Sequence, residues 1–239
     1  MQRDAISNPA AGLIIYNTDI RCLDTYNGVR WITCNTIGAT DVYNPTTGQV
    51  WMDRNLGATV VATRPRSDFN DNASYITSQT SSFGDLYQWG RATDGHEKRN
   101  STATAGTSTS TSPGANFLTG SANWYTGSNP DDLWKEDGTG VNNPCPSGYR
   151  VPTEAEWDAE RGSWTDNNRA GAFASLLKLP LAGIRAKDSG GLVYRGVNGD
   201  YWTSTISGSR AYRLGFSESD ADTNLFERSD GLSVRCLKD

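Results

Sequence analysis

The four cysteines restrict the possible folds of this chain more than any other feature, because each disulfide would tie two segments together. No two of them form a Cys-x-x-Cys pair, which disfavours a zinc ribbon and a thioredoxin-like redox site. Three pairings are possible, and the favoured one joins Cys22 to Cys34 and Cys145 to Cys236. In the chain-entropy description, the short loop is worth roughly 3 kcal/mol and the long one roughly 4–5 kcal/mol.

The alternative to two disulfides is four buried thiols in a cytosolic protein. The composition favours disulfides, because it is rich in Trp and Thr and poor in Lys, as in many extracellular proteins. The sequence therefore predicts a secreted or cell-surface location. The first residues, Met1 to Asp4, lead into polar sequence and do not resemble a signal peptide.

Charge and hydropathy argue against two classes of function. The net charge of −5 at pH 7 argues against sequence-independent nucleic-acid binding. No apolar run is long enough to span a membrane. Only 36% of the residues are hydrophobic, but 8 Trp, 10 Tyr and 6 Phe predict a core built from a few large aromatic side chains.

The N-terminal segment predicts a small β module. Residues 8–34 contain short β-prone runs, and Asn27-Gly28 is a strong tight-turn signal. We therefore expect a hairpin followed by another turn, within a module over residues 1–38. A unit of this size is too small to be stable alone. It must pack on the rest of the chain, be held by Cys22–Cys34, or associate with copies of itself.

The middle of the chain predicts one hairpin and two long loops. "DVYN" and "QVWMDRNLG" flank a turn at Pro45 to Gly48. The segment Ser101 to Asn116 has low complexity and few bulky apolar residues, which favours a long surface loop. The loop that follows must be anchored by its large aromatic residues, Trp124, Tyr125 and Trp134.

The last ninety or so residues predict two helices and then strands, hence an α+β fold. Thr153 and Glu156 form a capping-box pattern, so a helix should begin near Glu154 with Trp157 buried. "NRAGAFASLLKLP" predicts a second helix that Pro180 stops. Two runs near the C-terminus alternate between apolar and other residues, which predicts strands with one buried face each. The buried residues would be Tyr212, Leu214 and Phe216 in the first run and Leu232, Val234 and Cys236 in the second.

Six ordered motifs carry a resemblance to a known family. They are "GQVWMDRNLGAT", "FGDLYQWGRATDGH", "NPCPSGYRVPTEAEW", "LPLAGIR", "GDYWTST" and "GLSVRCLKD". Together they resemble the Fibrobacter-type major paralogous domain, which is common in surface and secreted proteins of Bacteroidetes and relatives. The resemblance covers about residues 40–239. A second, less specific one links residues 2–19 to a short β module of phage tail-fibre proteins.

The first resemblance implies a C-type-lectin-like domain over residues 39–239. We would then expect two short helices, small antiparallel sheets that close the chain ends, and long loops that form a recognition face. This fold is similar to that of formylglycine-generating enzymes and of the variable proteins of diversity-generating retroelements. Those enzymes need reactive C-terminal cysteines, whereas Cys236 is expected to face inward with a partner. The resemblance therefore implies the fold without that activity.

Catalytic motifs are weak in this sequence. The single histidine, His96, lies among charged residues in "TDGHEKRN", which predicts a solvated loop and not a catalytic base. Glu154 and Glu156 suit the N-terminus of a helix better than the carboxylate pair of a glycosidase. We therefore predict a protein without enzymatic activity.

Two acidic runs are candidates for a calcium site, because oxygen ligands at alternating positions suit a hard cation. Neither matches an EF-hand loop, and the sugar-binding triplets of calcium-dependent lectins are absent from the sequence. A solvated acidic loop is the favoured interpretation, so no metal or cofactor is predicted although calcium is possible. The candidates are Asp131, Asp132, Glu136, Asp137 and Asn142 in the first run and Glu218, Asp220, Asp222 and Asn224 in the second.

The sequence predicts a binding module that recognises a protein or glycan through its C-terminal loops. Trp202, Tyr212 and Phe216 are expected in the core, whereas Phe226 follows a polar run and is a candidate exposed anchor. The first alternative is a structural subunit or tip protein of an extracellular fibre or appendage, self-associating through the N-terminal module. The second, less favoured, is a formylglycine-generator-like or glycoside-acting enzyme. The candidate ligand-binding residues are Arg210, Arg213, Glu218, Asp220, Asp222, Asn224, Phe226 and Arg228.

Overall fold

The computed structural model describes residues 6–17, 22–26, 28–29, 31–32 and 40–239 of the chain. Three α-helices and several small, mostly antiparallel sheets make up this part, which is an α+β fold. Within the described residues, no helix combines the length and the apolar character that a membrane crossing requires. The helices are α1 (Asn72–Phe83), α2 (Glu154–Gly162) and α3 (Arg169–Ala174).

The strands are short, and most of them have two to five residues. The long ones lie near the C-terminus and form a single antiparallel sheet. In chain order the strands are β1 (Ile14–Asn17), β2 (Cys22–Tyr26), β3 (Trp31–Ile32), β4 (Asp41–Asn44), β5 (Gln49–Met52), β6 (Tyr87–Gln88), β7 (Ala103–Ala105), β8 (Phe117–Thr119), β9 (Tyr149–Arg150), β10 (Ile184–Arg185), β11 (Leu192–Val193), β12 (Gly199–Ser207), β13 (Arg210–Phe216), β14 (Ala221–Glu227), β15 (Gly231–Leu232) and β16 (Leu237–Lys238).

Five sheets are present in the described residues. The N-terminal one has the order β1-β2-β3, and the predicted hairpin with its further turn is confirmed. The terminal sheet has the order β4-β5-β16-β9, so the last strand pairs with the predicted hairpin of β4 and β5. A third sheet has the order β11-β10-β15-β6, and β12-β13-β14 forms a meander. Strands β7 and β8 are parallel, so the predicted surface loop contains one short strand.

The disulfide between Cys145 and Cys236 is confirmed, and it joins two segments 91 residues apart. Cys145 precedes β9, and Cys236 is fully buried just before β16. The bridge therefore fastens the loop ahead of α2 to the terminal sheet. The other predicted pair, Cys22–Cys34, lies outside the described residues, since neither Cys34 nor the side chain of Cys22 is among them.

Helix α2 begins as its sequence predicts. The Thr153 hydroxyl accepts a hydrogen bond from the Glu156 backbone N–H, and the Glu156 carboxylate accepts one from the Thr153 N–H. Trp157 is fully buried, with its ring 4.6 Å from that of Trp51. This packing places α2 against the core, beside β12, β13 and β14.

The second predicted helix is shorter than expected, and this is a correction. Helix α3 ends at Ala174, well before Pro180, because the Ser175 backbone is extended. The chain then forms an irregular turn that buries both Leu177 and Leu179. Burial of these two leucines, which a continued helix would place on different sides, overrides the local helical preference.

Helix α1 is absent from the sequence prediction. Its buried residues follow a helical spacing, but two of the four are polar, so the apolar pattern is weak. Asp71 caps it by accepting a hydrogen bond from the Ser74 backbone N–H. The buried residues are Tyr75, Gln79, Ser82 and Phe83.

The final segment is buried on both faces, which corrects the predicted one-sided alternation. Cys236 does face inward, but Ser233 and Arg235 are buried as well. Arg235 donates hydrogen bonds to Asn55 Oδ1 and to the Leu177 carbonyl, and burial lowers its pKa to about 10. The segment runs between two hydrophobic core clusters, a first one that contains Trp157 and Tyr201 and a second one that contains Trp89 and Trp202. A residue that faces away from one cluster therefore enters the other.

The β12–β14 sheet separates those two clusters. Neighbouring residues on β12 enter opposite ones: Tyr201 packs with Trp157 and Phe216, and Trp202 packs near Trp89. The predicted loop anchors Trp124, Tyr125 and Trp134 are all buried in the second cluster. At the end of the sheet where β12 and β14 begin and β13 ends, the strands carry polar side chains.

Candidate functional site

Polar residues of three adjacent strands share one face at that end of the sheet. Asp200 on β12 lies opposite Gly215 on β13, and Gly215 lies opposite Asp222 on β14. Two residues before Gly215 on β13, Arg213 lies opposite Asn224 on β14. Directly opposed residues of an antiparallel sheet project from the same face, so these side chains are neighbours in space.

A polar cavity of about 270 Å³ opens beside these residues, and we call it the Asp200 cavity. Its wall comes from the start of β12, the end of β13, the following turn and the start of β14. The lining residues are Asn198, Asp200, Arg213, Gly215, Phe216, Ser217, Asp220 and Asp222.

Asp200 is the buried acid of this cavity, and its side chain is only 5% exposed. Its carboxylate lies 3.2 Å from Arg213 Nε, but no group in the described residues donates a hydrogen bond to it. Burial raises the pKa of Asp200 to about 6, because the cavity wall disfavours the charged form more than Arg213 favours it. The carboxylate is thus ionised at neutral pH but poorly compensated.

Arg213 lies between two carboxylates. Besides Asp200, its guanidinium contacts Asp222 at 3.5 Å and lies over the Phe226 ring, 5.1 Å from the centroid. Its Nε is buried without an acceptor among the described residues. A Cβ at Gly215 would lie 1.2 Å from Arg213 Nη1, so any other residue at this position would displace the guanidinium from its present place.

Asp220 adds a third carboxylate in the turn after β13. Hydrogen bonds from the Ser217 and Ser219 hydroxyls lower its pKa, so it stays ionised. The cavity then holds three negative charges against the single positive charge of Arg213. This imbalance favours a ligand with positive charge and hydrogen-bond donors.

The other predicted ligand residues lie away from the cavity or inside the core. Arg210 pairs with Glu227 at 3.1 Å, and Glu218 pairs with Arg169 at 2.8 Å. Asn224 stays on the strand face, with its amide 3.4 Å from Asp222 Oδ2. The structure therefore brings together Arg213, Asp220 and Asp222 of the predicted set, and adds Asp200, which the sequence analysis missed.

Arg228 and Phe226 do not face outward, which corrects the prediction for both residues. The Arg228 side chain is 2% exposed, lies 4.4 Å over the Trp89 ring and donates to Asp131 at 2.7 Å. It lies in the core, because the Trp89 face, the Asp131 carboxylate and the Gly208 carbonyl stabilise the buried guanidinium, although its Nε has no acceptor among the described residues. Phe226 is half-buried and not an exposed anchor, since it packs edge-on against Trp202. Tyr212, expected in the core, is also half-buried.

His96 is buried, so the prediction of a solvated loop is wrong. Its Nε2 accepts a hydrogen bond from the Gln88 backbone N–H at 3.1 Å, and its Nδ1–H donates to Asp94 Oδ1 at 2.5 Å. Burial lowers the pKa of His96, which favours the neutral ring. Arg91 donates to Asp94 at 2.7 Å, and Glu97 lies beside them; we call these four residues the His96 cluster.

Asp94, His96 and Glu97 are the one group in the described part of the chain whose ligand atoms converge closely enough for a metal ion. Both ring nitrogens of His96 are already engaged, one as acceptor and one as donor. A metal could bind the ring only by displacing one of those bonds, so the arrangement suits a structural role.

The two predicted calcium runs do not converge in this way within the described residues. Most members of the first are held by other partners: Asp131 by Arg228, Asp132 by Lys135 at 3.1 Å and Glu136 by Thr205 at 2.6 Å. The carboxylates of the second run are divided between the Arg169 pair and the Asp200 cavity.

Residues 1–81 match the family described as "Phage tail like trimerisation region". The match extends from the N-terminal sheet through β4 and β5 and ends inside α1. No curated protein and no solved structure matches the chain. The similarity to a phage tail-like trimerisation region is thus confined to the N-terminal third, and the Asp200 cavity lies outside it.

Proposed function

We propose that this protein is a self-associating, non-enzymatic subunit of an extracellular fibre or appendage, and that residues 39–239 form its recognition domain. The observation that carries the proposal is the match of residues 1–81 to a phage tail-like trimerisation region. Three chains would associate through their N-terminal parts, and each would present one Asp200 cavity to a protein or glycan ligand.

The N-terminal sheet supports self-association on physical grounds. Three strands of two to five residues bury too little surface to be stable alone. Ile14 on β1 is 58% exposed, which leaves a large apolar side chain available to a second copy. As outer strands of the described sheet, β1 and β3 could also offer backbone groups to another chain.

The recognition domain is proposed to be C-type-lectin-like and a relative of the Fibrobacter-type major paralogous domain. The six sequence motifs support this, and so does the meeting of β5, β16 and β9 in one sheet near the chain end. The Cys145–Cys236 disulfide supports a secreted or surface location, since such bonds persist in oxidising compartments.

A glycoside-acting enzyme is the second candidate, and one observation favours it. Asp200 has a pKa raised to about 6 in a cavity that also holds Asp220 and Asp222, and a raised pKa suits a general acid. The non-enzymatic proposal is preferred because the resemblance carries no catalytic residues onto this chain. Turnover of a glycan that Asp200→Asn abolishes, with the fold intact, would reverse this preference.

The oligomeric state tests the structural half of the proposal. Multi-angle light scattering of the full chain should give three times the 25.9 kDa of one chain. Ile14→Lys should shift the population toward monomers, because it places a charge in the proposed apolar contact. Val141→Lys is the matched control, since Val141 is at least as exposed, at 69%, but lies outside the trimerisation match. A full-length protein that stays monomeric at tens of micromolar would refute self-association.

A further inference from the structure

We propose that the Asp200 cavity binds the positively charged unit of an amino sugar, with the sugar ammonium against Asp200. The inference rests on the recognition half of the proposed function and is independent of trimerisation.

The first step is the charge of the wall. Asp200, Asp220 and Asp222 face one arginine, Arg213, so the cavity carries an excess of two negative charges when all four groups are ionised. An anionic ligand would be repelled, and a neutral one would leave the excess uncompensated. A ligand with one positive charge reduces the imbalance.

Second, the Asp200 carboxylate lacks hydrogen-bond donors in the part of the chain that the structure describes. A carboxylate that is 5% exposed and accepts no hydrogen bond from the described residues is unfavourable in the folded state. Arg213 does not satisfy it, because its Nε also remains without a hydrogen-bond partner there. Since Asp200 lines the cavity, a donor that enters the cavity reaches the carboxylate. An ammonium group supplies three donors and a charge.

The third step is size, which excludes a bare cation. The three carboxylates are not among the groups of the described residues that converge on a single ion position. The volume of about 270 Å³ lies just below the roughly 300–1,000 Å³ of pockets that hold drug-sized molecules. A ligand of monosaccharide size therefore fits better than a metal ion.

The fourth step is the distribution of polar groups, which favours a sugar over a lysine side chain. Three groups stand at separate points of the wall with few or no hydrogen bonds: Asp200, the Asn198 amide and Asp222, whose bonds are long at 3.4 and 3.5 Å. Asp220 and the Ser217 hydroxyl already bond to each other. A lysine side chain carries donors at its tip alone, and its apolar stem would leave the other acceptors without partners. An amino sugar places hydroxyl donors around its ring as well as the ammonium.

Binding of tetrasaccharides to the full-length protein tests the proposal. Isothermal titration at pH 7 and 0.15 M salt compares a glucosamine tetramer with the N-acetylglucosamine tetramer and with a glucose tetramer. The glucosamine tetramer should bind at least tenfold more tightly than either, because they lack the ammonium. Equal binding of the three, or no binding of the glucosamine tetramer, would overturn the proposal.

Two cavity variants locate the site, and one variant serves as control. Asp200→Asn keeps the shape and removes the charge, so it should weaken glucosamine binding at least tenfold. Asp188→Asn makes the same chemical change on an exposed residue outside the cavity and should leave binding unaltered. If Asp200→Asn does not fold, Asp222→Asn gives the corresponding test at a more exposed position. Unchanged affinity in the folded cavity variant would refute the site.

A lysine tetrapeptide distinguishes the sugar from a peptide source of the ammonium. If it binds as tightly as the glucosamine tetramer and responds to Asp200→Asn, the amino-sugar assignment is wrong. Light scattering on the same samples separates this inference from the structural proposal. A trimer that ignores the glucosamine tetramer would refute the ligand alone, and a monomer that binds it would refute the trimer alone.

Discussion

Two buried polar groups in this protein combine arginine with acids, but their hydrogen bonding differs. In the His96 cluster, both ring nitrogens of His96 are engaged, and both terminal nitrogens of Arg91 donate. Only Arg91 Nε and Glu97 Oε1 remain without hydrogen bonds there. In the Asp200 cavity, the Asp200 carboxylate receives no hydrogen bond from the described residues, and Arg213 makes one long bond to Asp222.

This difference separates a structural network from a binding surface. Buried polar groups in folded proteins are nearly always paired, since an unpaired one destabilises the fold by about 1–3 kcal/mol. Apart from Arg91 Nε and Glu97 Oε1, the His96 cluster follows that rule, and it fixes the segment before β7. The Asp200 cavity departs from it beside open space, where a ligand could supply the missing donors. Four predictions test whether this contrast is real.

Replacement of each arginine by lysine should show the largest contrast. Arg91 donates to Gln88 Oε1, Asp94 Oδ2 and the Asn116 and Gly114 carbonyls at 2.5–2.9 Å. Lysine cannot reproduce this fork, so Arg91→Lys should lower the free energy of unfolding by about 3–5 kcal/mol. Arg213→Lys should lower it by less than about 1 kcal/mol, because few bonds are lost. Urea denaturation measures both, and similar losses would abolish the distinction.

Replacement of His96 by alanine should have the second largest effect on stability. His96→Ala leaves the Gln88 backbone N–H without its acceptor in a buried site and removes one of the two hydrogen bonds to Asp94 Oδ1, while the bond from the backbone N–H of residue 96 remains. Together with the cavity that the ring leaves, this should destabilise the protein by about 2–4 kcal/mol. Asn198→Ala in the cavity wall is the comparison, since none of the described side chains hydrogen-bonds to the Asn198 amide. It should change stability by less than about 0.5 kcal/mol. A larger loss for Asn198→Ala would place the cavity among the structural elements.

Asp200→Asn should have the opposite sign. At pH 7 the ionised carboxylate is held in a site that raises its pKa from 3.8 to about 6, so ionisation weakens the fold. The neutral amide removes that penalty and should stabilise the protein by about 1–2 kcal/mol in thermal or urea unfolding. The same variant should bind the glucosamine tetramer at least tenfold more weakly, so Asp200 would lower the stability of the fold while it strengthens ligand binding. Destabilisation would show that the pair with Arg213 outweighs the burial.

Local signals in the sequence predicted the elements whose formation is decided locally. The Thr153–Glu156 capping box, the hairpin of β4 and β5 and the partner of Cys145 depend on nearby turn chemistry or on a strong constraint. Helix α1 could not be predicted because Gln79 and Ser82 occupy buried positions where an apolar residue is expected. The Gln79 side chain accepts a hydrogen bond from the Thr63 backbone N–H, which lies before the helix, and the Ser82 hydroxyl donates to the Gln79 carbonyl.

The candidate site was predicted in part, for a related reason. Arg213, Asp220 and Asp222 lie close in sequence on one hairpin, whereas Asp200 comes from another strand within the apolar run "GDYWTST". A single acid before two large aromatic residues on a buried strand is a signal that could have identified it. His96 and Arg228 were misplaced because their neighbours in sequence are polar, while the partners that accommodate them, Tyr87, Trp89 and Asp131, come from outside those runs.

The pH dependence of stability gives the smallest effect and opposite signs for the two groups. Burial lowers the pKa of His96, so the unfolded chain takes up its proton first, and stability is lost as pH falls below 6.5. Burial raises the pKa of Asp200, so the folded state holds that proton longer, and stability is lost as pH rises from 3.8 to about 6. For each group, the free energy of unfolding changes by at most about 1.4 kcal/mol per pH unit.

Subtraction of the wild-type curve from that of Asp200→Asn isolates the cavity acid. Asp230, whose pKa burial also raises to about 6, contributes to both proteins and largely cancels. The difference in unfolding free energy should grow between pH 3.8 and about 6 and stay constant above that range. A difference that is flat across this interval would mean that Asp200 titrates normally in the folded protein. The cavity would then lack the poorly compensated charge on which its contrast with the His96 cluster depends.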